Sequence, residues 1–138
     1  MNQAPVAESY VLLWTDDVAA LADWSVNTLG LEESWRAPGE SGQIEHAELI
    51  WFGSKISINI ARGDITGPAG IALRVDDRST IDALYQLATD RGATISQPLA
   101  ESVVAYSFTV IDPDGNQWWI NAETGFLDGL RNPSTEME

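Results

Sequence analysis

The chain has no cysteine, one histidine, His46, and one lysine, Lys55. The missing thiols exclude disulfides, thiolate nucleophiles and zinc–cysteine sites. One imidazole cannot by itself build a two- or three-ligand metal centre. Cations are scarce as well: seven Lys and Arg stand against 21 Asp and Glu, a formal net charge of −14. Such a field repels phosphate backbones and anionic membranes, so neither nucleic acid nor a membrane surface is an expected partner. It would favour a cationic ligand, but plain solubility is the simpler account of it. No apolar run approaches the roughly 20 residues that span a bilayer. Met1-Asn2-Gln3-Ala4-Pro5 carries no basic segment followed by an apolar stretch, so no signal peptide and a cytoplasmic location are expected. Neither a Gly-x-Ser-x-Gly elbow nor a glycine-rich phosphate loop is present.

The chain does have enough apolar residues for a core: 44% of 138 residues are hydrophobic, which suits a single domain over 1–138. It also repeats itself. Val11-Leu-Leu-Trp-Thr-Asp-Asp17 lies over Ile71-Ala-Leu-Arg-Val-Asp-Asp77 at a shift of 60 residues. An amphipathic stretch follows each segment: Val18 to Thr28, with Leu21, Trp24 and Thr28 at helical spacing, and Ser79 to Arg91, with Ile81, Leu84, Tyr85 and Leu87 or Ala88. Asp16 or Asp17 can cap the first helix, and Ser79-Thr-Ile-Asp82 opens the second as a capping-box-like start. Gly30 and Gly92 close them at a shift of 62. Each copy then ends in a hairpin. His46 to Gly53 leads into Lys55–Ile60, and Tyr106–Ile111 passes through Asp112-Pro-Asp-Gly115 into Gln117–Ile120. A further short strand is expected in each, near Glu32–Arg36 and Thr94–Pro98. The pattern predicts an α+β fold of two βαβββ modules, about 8–62 and 69–122, joined by a linker over 63–70. Residues 123–138 are expected to form a tail, frayed from Arg131 onward.

Strand alternation sorts the side chains by face. Val11, Leu13 and Thr15 belong with the helices, as do Ile71, Leu73 and Val75, and Ile56, Ile58 and Ile60. The opposite face collects Tyr10, Trp14, Ser57, Asn59, Arg74, Gln117 and Trp119, and Trp35 of the second strand joins this candidate ligand-binding set. A ligand cup, ordinary core and an interface all fit this polar-aromatic face. Arg74 keeps its charge, so it needs a carboxylate, an aromatic face such as Trp14, or the ligand; Glu48 is a candidate partner.

Trp14-Thr-Asp-Asp17, then Trp24 through Thr28-Leu-Gly-Leu31, and above all Val110-Ile-Asp-Pro-Asp-Gly-Asn116 before a terminal strand resemble the vicinal-oxygen-chelate superfamily, which includes glyoxalase I, extradiol dioxygenases and bleomycin-resistance proteins. The resemblance implies curved mixed sheets around a shared cavity, commonly in a dimer. In metal-dependent members of the family, opening strands supply histidine or a similar ligand and closing strands supply glutamate. The matching positions here are Tyr10, Gly70, Ser57 and Trp119, none of them a usual ligand for a divalent metal. No metal and no cofactor are therefore expected, as in the metal-free bleomycin-resistance-like branch.

The remaining polar motifs have structural readings. Asp16-Asp17 and Asp76-Asp77 stand where helix caps belong, and Asp112-Pro-Asp-Gly115 is a turn by composition. His46 fits a strand residue with a local hydrogen bond, or a catalytic base. The expected function is sequestration of a small aromatic ligand, cationic or neutral, such as an antibiotic by a homodimer. The alternative is a metal-free isomerase or lyase using His46, Glu48 or Tyr106.

Overall fold

The computed structural model describes residues 10–61 and 68–132. Most of the predicted linker and the end of the predicted tail lie outside these described residues. The order of elements is β1 (Val11–Thr15), α1 (Val18–Leu29), β2 (Glu32–Pro38), β3 (Ile44–Trp51), β4 (Ser54–Ile60), β5 (Gly70–Arg74), α2 (Arg78–Asp90), β6 (Thr94–Glu101), β7 (Ala105–Ile111), β8 (Gln117–Glu123) and α3 (Phe126–Arg131). The first sheet runs β1-β4-β3-β2 and the second β5-β8-β7-β6. In each, the opening strand pairs in parallel with the closing strand, and the other pairings are antiparallel. This is the predicted α+β arrangement of two βαβββ modules. No helix among the described residues is long and apolar enough to cross a membrane.

The helix starts follow from their aspartates. Asp17 accepts a hydrogen bond from the Ala20 amide at 3.0 Å, and Asp77 accepts one from the Thr80 amide at 2.8 Å. Asp77, not Ser79, is the cap of α2, because Ser79 and Thr80 also turn their hydroxyls onto its carboxylate. Those bonds, the Ser79 hydroxyl first, hold the Asp77 carboxyl below its ordinary pKa. The strands β2 and β6 run further than expected, to Pro38 and Glu101. The predicted tail also contains structure: β8 reaches Glu123 and α3 follows.

The modules meet through their helix-bearing faces. Leu13, Leu49, Ile56 and Ile58 of the first sheet, Leu21 and Leu29 of α1, Ile81 and Ala88 of α2, and Phe108, Trp118 and Ile120 of the second sheet form one continuous core. Trp24 of α1 lies 5.7 Å, centroid to centroid, from Trp118 of β8. Gly30, in the left-handed region at φ 75°, closes α1 so near α2 that an added Cβ would meet Leu87 Cδ2 at 3.4 Å. That is an ordinary van der Waals contact, so the cost of a side chain at this position is the strain of the left-handed backbone. The helix-free faces of the two sheets are consequently turned outward. Burial follows the predicted alternation: Leu13, Thr15, Ile71 and Leu73 are buried, whereas Leu12 is 49% exposed.

The two hairpin turns differ. In the second module Asp112 is buried and accepts from the Asp114 and Asn116 amides at 2.9 Å and from Asn116 Nδ2 and Trp118 Nε1 at 2.8 Å. Asn116 Oδ1 in turn accepts from the Ala69 amide at 2.7 Å, anchoring the entry to β5. In the first module a two-residue turn, Phe52-Gly53, has φ 45° and 87°, the type I′ geometry that asparagine–glycine serves best. Phe52 holds this conformation while 70% exposed. A non-glycine residue there carries strain of roughly 1–3 kcal/mol. Phe52→Asn is expected to stabilise the protein by about 1 kcal/mol, seen as a rise in Tm of about 3 °C in calorimetry. An unchanged or lower Tm would mean that contacts of the ring outweigh the strain.

Candidate functional site

The strand register assembles two rows on the helix-free face of the first sheet. One row reads Trp14, Asn59, His46, Ala37 across β1, β4, β3 and β2, and the next reads Leu12, Ser57, Glu48, Trp35. Trp14 is half-buried and Trp35 is 47% exposed. Between them runs a polar centre. Asn59 is buried and donates through Nδ2 to the carbonyls of Leu13 at 3.4 Å and Ser57 at 3.2 Å, and to Ser57 Oγ at 3.2 Å. Its Oδ1 lies 3.0 Å from Nδ1 of the exposed His46. Glu48 accepts from the Ser34 hydroxyl at 2.5 Å and lies 3.9 Å from Lys55 Nζ.

The helix-free face of the second sheet is built by the same rule. Arg74, Asn121, Ser107 and Ala100 form one row, and Ala72, Trp119, Thr109 and Gln97 the next. Asn121 Nδ2 donates to the Leu73 carbonyl at 3.3 Å, repeating the link between Asn59 and Leu13 in the other module. Thr109 donates to Gln97 Oε1 at 3.0 Å, and Gln97 Nε2 donates to Ser107 Oγ at 3.4 Å. This polar group is closed on itself.

Of the eight predicted residues, Trp14, Trp35, Ser57 and Asn59 therefore share one face, and Arg74, Gln117 and Trp119 share the other. Within a chain they divide between two sheets. Where the edges of β1 and β5 approach, the modules share a cleft of about 380 Å³ lined by Tyr10, Trp51, Phe52, Lys55, Ile56 and Arg74, among others. Tyr10 and Arg74 are the two predicted residues that it brings together. The buried Trp51 Nε1 in its wall has no hydrogen-bond partner among the described residues. His46, Glu48, Asn121, Ser107, Thr109 and Gln97 were absent from the predicted set. For Asn59 and Asn121 the repeat held a usable signal, since they stand 62 residues apart.

Arg74 finds its carboxylate on its own sheet. Arg74 Nη1 lies 3.0 Å from Glu123 Oε1, not against Glu48, which belongs to the other module and faces Lys55. Arg131 of α3 grips the same carboxylate with both amino groups, at 2.6 and 2.9 Å. The Arg131 hydrogen bonds first, and then its charge and Arg74, hold the Glu123 carboxyl at about 2 against an ordinary 4.5. A depressed carboxylate contributes stability above its unfolded value and loses it as pH falls through its folded value. This contribution is therefore complete above about 4.5 and vanishes near 2. In Arg131→Ala the Glu123 carboxyl, followed by NMR, is expected to titrate closer to 4.5. A titration unmoved from the parent's would show that α3 does not dock through this pair.

The positions that correspond to metal ligands hold Tyr10, Gly70, Ser57 and Trp119. An indole and a glycine offer a divalent metal no side-chain ligand, and the Ser57 hydroxyl is engaged by Asn59. Among the described residues, no three His, Asp or Glu side chains are grouped so as to hold a metal ion.

The family model described as the Glyoxalase/Bleomycin resistance protein/Dioxygenase superfamily matches residues 9–120. No curated protein matches the sequence. The fold is similar to that of TioX from Micromonospora sp. ML1, with 24% identity over 83% of this chain and 98% of that one and a TM-score of 0.69. It is also similar to a lactoylglutathione lyase from Agrobacterium tumefaciens, with 18% identity over 86% and 95% of the two chains and a TM-score of 0.70. A glyoxalase/bleomycin resistance protein/dioxygenase from Alicyclobacillus acidocaldarius matches at 21% identity over 84% and 90%, with a TM-score of 0.67.

Proposed function

Because the chain belongs to the Glyoxalase/Bleomycin resistance protein/Dioxygenase superfamily, we propose that it is a metal-independent binding protein for a small aromatic compound such as an antibiotic, working as a cytoplasmic homodimer. The observation that carries this reading is the helix-free face of the first sheet, where Trp14 and Trp35 stand on either side of the Asn59–His46–Ser57 centre. Indole faces stack on planar groups, and a central set of hydrogen-bonding groups fixes their orientation. The donor set at the metal positions supports metal independence. Arg74 is answered by Glu123, so it does not oppose a cationic ligand, and the charge of −14 draws one in.

The same geometry supports the dimer reading. Each helix-free face is half a site, and β1 and β5 are edge strands with Tyr10 and Leu12 about half exposed beside the first. A second copy that brings its second sheet over the first sheet of its partner would cover apolar surface and join Trp14 with a Trp119. Sedimentation at micromolar concentration is expected to show a species of twice 15.0 kDa; a monomer would contradict this. Protein purified without a metal-binding tag is expected to carry far less than stoichiometric Zn, Fe, Ni or Mn in elemental analysis.

Binding is checked by tryptophan fluorescence during titration with a panel of planar antibiotics and metabolites. Trp14→Ala or Trp119→Ala is expected to weaken a hit by roughly 1–3 kcal/mol, the value of one stacking ring. Parent-like binding by both variants would contradict the proposed lining. A second reading, a metal-free isomerase or lyase, is favoured by the hydrogen-bonded His46 beside Glu48 and by the similarity to a lactoylglutathione lyase. Turnover of a hit, lost in His46→Phe, would replace sequestration by catalysis.

A further inference from the structure

We infer that His46 is held as the Nδ1–H tautomer, and that its Nε2 lone pair is the acceptor that selects ligands carrying an N–H or O–H donor. The inference rests on the ligand-binding reading of this face and names what the ligand must bring to it. It starts from Asn59. The Asn59 amide stands between two carbonyl oxygens, of Leu13 and Ser57, on one side and His46 on the other. Turning the amide over would set Oδ1 against both carbonyls, an arrangement with no proton to share. Nδ2 must therefore face the carbonyls and Oδ1 must face the imidazole. An amide oxygen only accepts, so Nδ1 carries the proton. In the neutral ring Nε2 is then a bare lone pair. No further partner of His46 is found among the described residues, and the residue is exposed on the face flanked by Trp14 and Trp35.

The internal repeat serves as a control for the structural alternative. In the second module Asn121 makes the same bond to the opening strand, and its cross-strand neighbour is Ser107, the counterpart of His46. Ser107 is buried and accepts from Gln97. The link between strands thus works with a small neighbour that points no free group outward. Only the first module places an imidazole there, so the exposed acceptor is surplus to the fold. A planar ligand lying between the indoles would carry its donor at Nε2, two residues along β3 from the Glu48 carboxylate, which suits a protonated amine or amidine as well as a neutral N–H.

His46 is the chain's only histidine, so a long-range proton–nitrogen correlation spectrum of tag-free protein holds one imidazole. In the neutral ring the parent is expected to show a protonated Nδ1 and a bare Nε2, and Asn59→Leu to revert toward the Nε2–H form favoured by free histidine. If Asn59→Leu fails to fold, the parent spectrum decides alone. Indole, which has a donor, is then expected to move the Nε2 resonance and to bind about tenfold more tightly than N-methylindole, which has none. His46→Phe is expected to remove that difference. An Nε2–H tautomer in the parent overturns the inference. So do equal binding and equal shifts from both probes, an outcome that leaves the aromatic site itself standing. Binding of neither probe, by NMR or fluorescence, removes the site and the inference with it.

Discussion

The structure depends on how its two modules are fused. Each βαβββ unit covers one face of its sheet with its own helix, and one helix on a four-stranded sheet leaves apolar surface uncovered. The chain buries that remainder by setting the two helical faces together. Trp24 reaches from α1 to Trp118 on the opposite sheet, and α1 closes at Gly30 directly against Leu87 of α2. Everything else is arranged around this contact. It uses the helix-bearing faces for stability and leaves the helix-free faces open, with their edge strands β1 and β5 meeting only at a cleft.

Fusion of repeats would permit two equivalent faces, but the two have diverged. The second sheet satisfies its own polar groups: Gln97, Ser107 and Thr109 bond to one another, and Glu123 is held by Arg74 and by Arg131 of α3. The first sheet keeps His46 exposed above a buried Asn59, between two tryptophans. The turns show the same division. Asp112 ties together the second hairpin and Trp118, whereas the first hairpin turns through a strained Phe52 and leaves the Trp51 indole N–H without a partner among the described residues. The polar groups of the second module are the better satisfied, and in the first the imidazole of His46 stays exposed.

Much of this was legible in the sequence, for reasons of period. The repeat, the two Asp-Asp helix starts and strict alternation in Ile56–Ile58–Ile60 are local patterns, and local patterns specify elements and faces. The family resemblance added that the sheets are mixed. What stayed hidden was relational. Both Asp77 and Ser79 were legible as starts of α2, but not that the Ser79 and Thr80 hydroxyls both donate to the Asp77 carboxylate and leave Asp77 as the cap. The partner of Arg74 proved to be Glu123, a residue assigned to a tail, because β8 runs past the apolar pattern that marked it. Seven of the eight expected residues stand on helix-free faces and Tyr10 precedes β1 at the cleft, but alternation says nothing about whether two such faces look toward or away from one another. That was decided by Trp24, an ordinary helical position in the sequence whose ring binds the opposite sheet.

The central claim is that one chain turns its two helix-free faces outward. The absence of cysteine makes this directly measurable. Spin labels at Trp35→Cys on the first sheet and Ala100→Cys on the second, in protein diluted with excess unlabelled chain, report the intrachain distance between the outer strands. A helix layer about 10 Å across separates the sheets and the labels point away from it, so the account predicts a distance well beyond about 20 Å. An intrachain distance shorter than that would place both faces around a single cup and contradict the account.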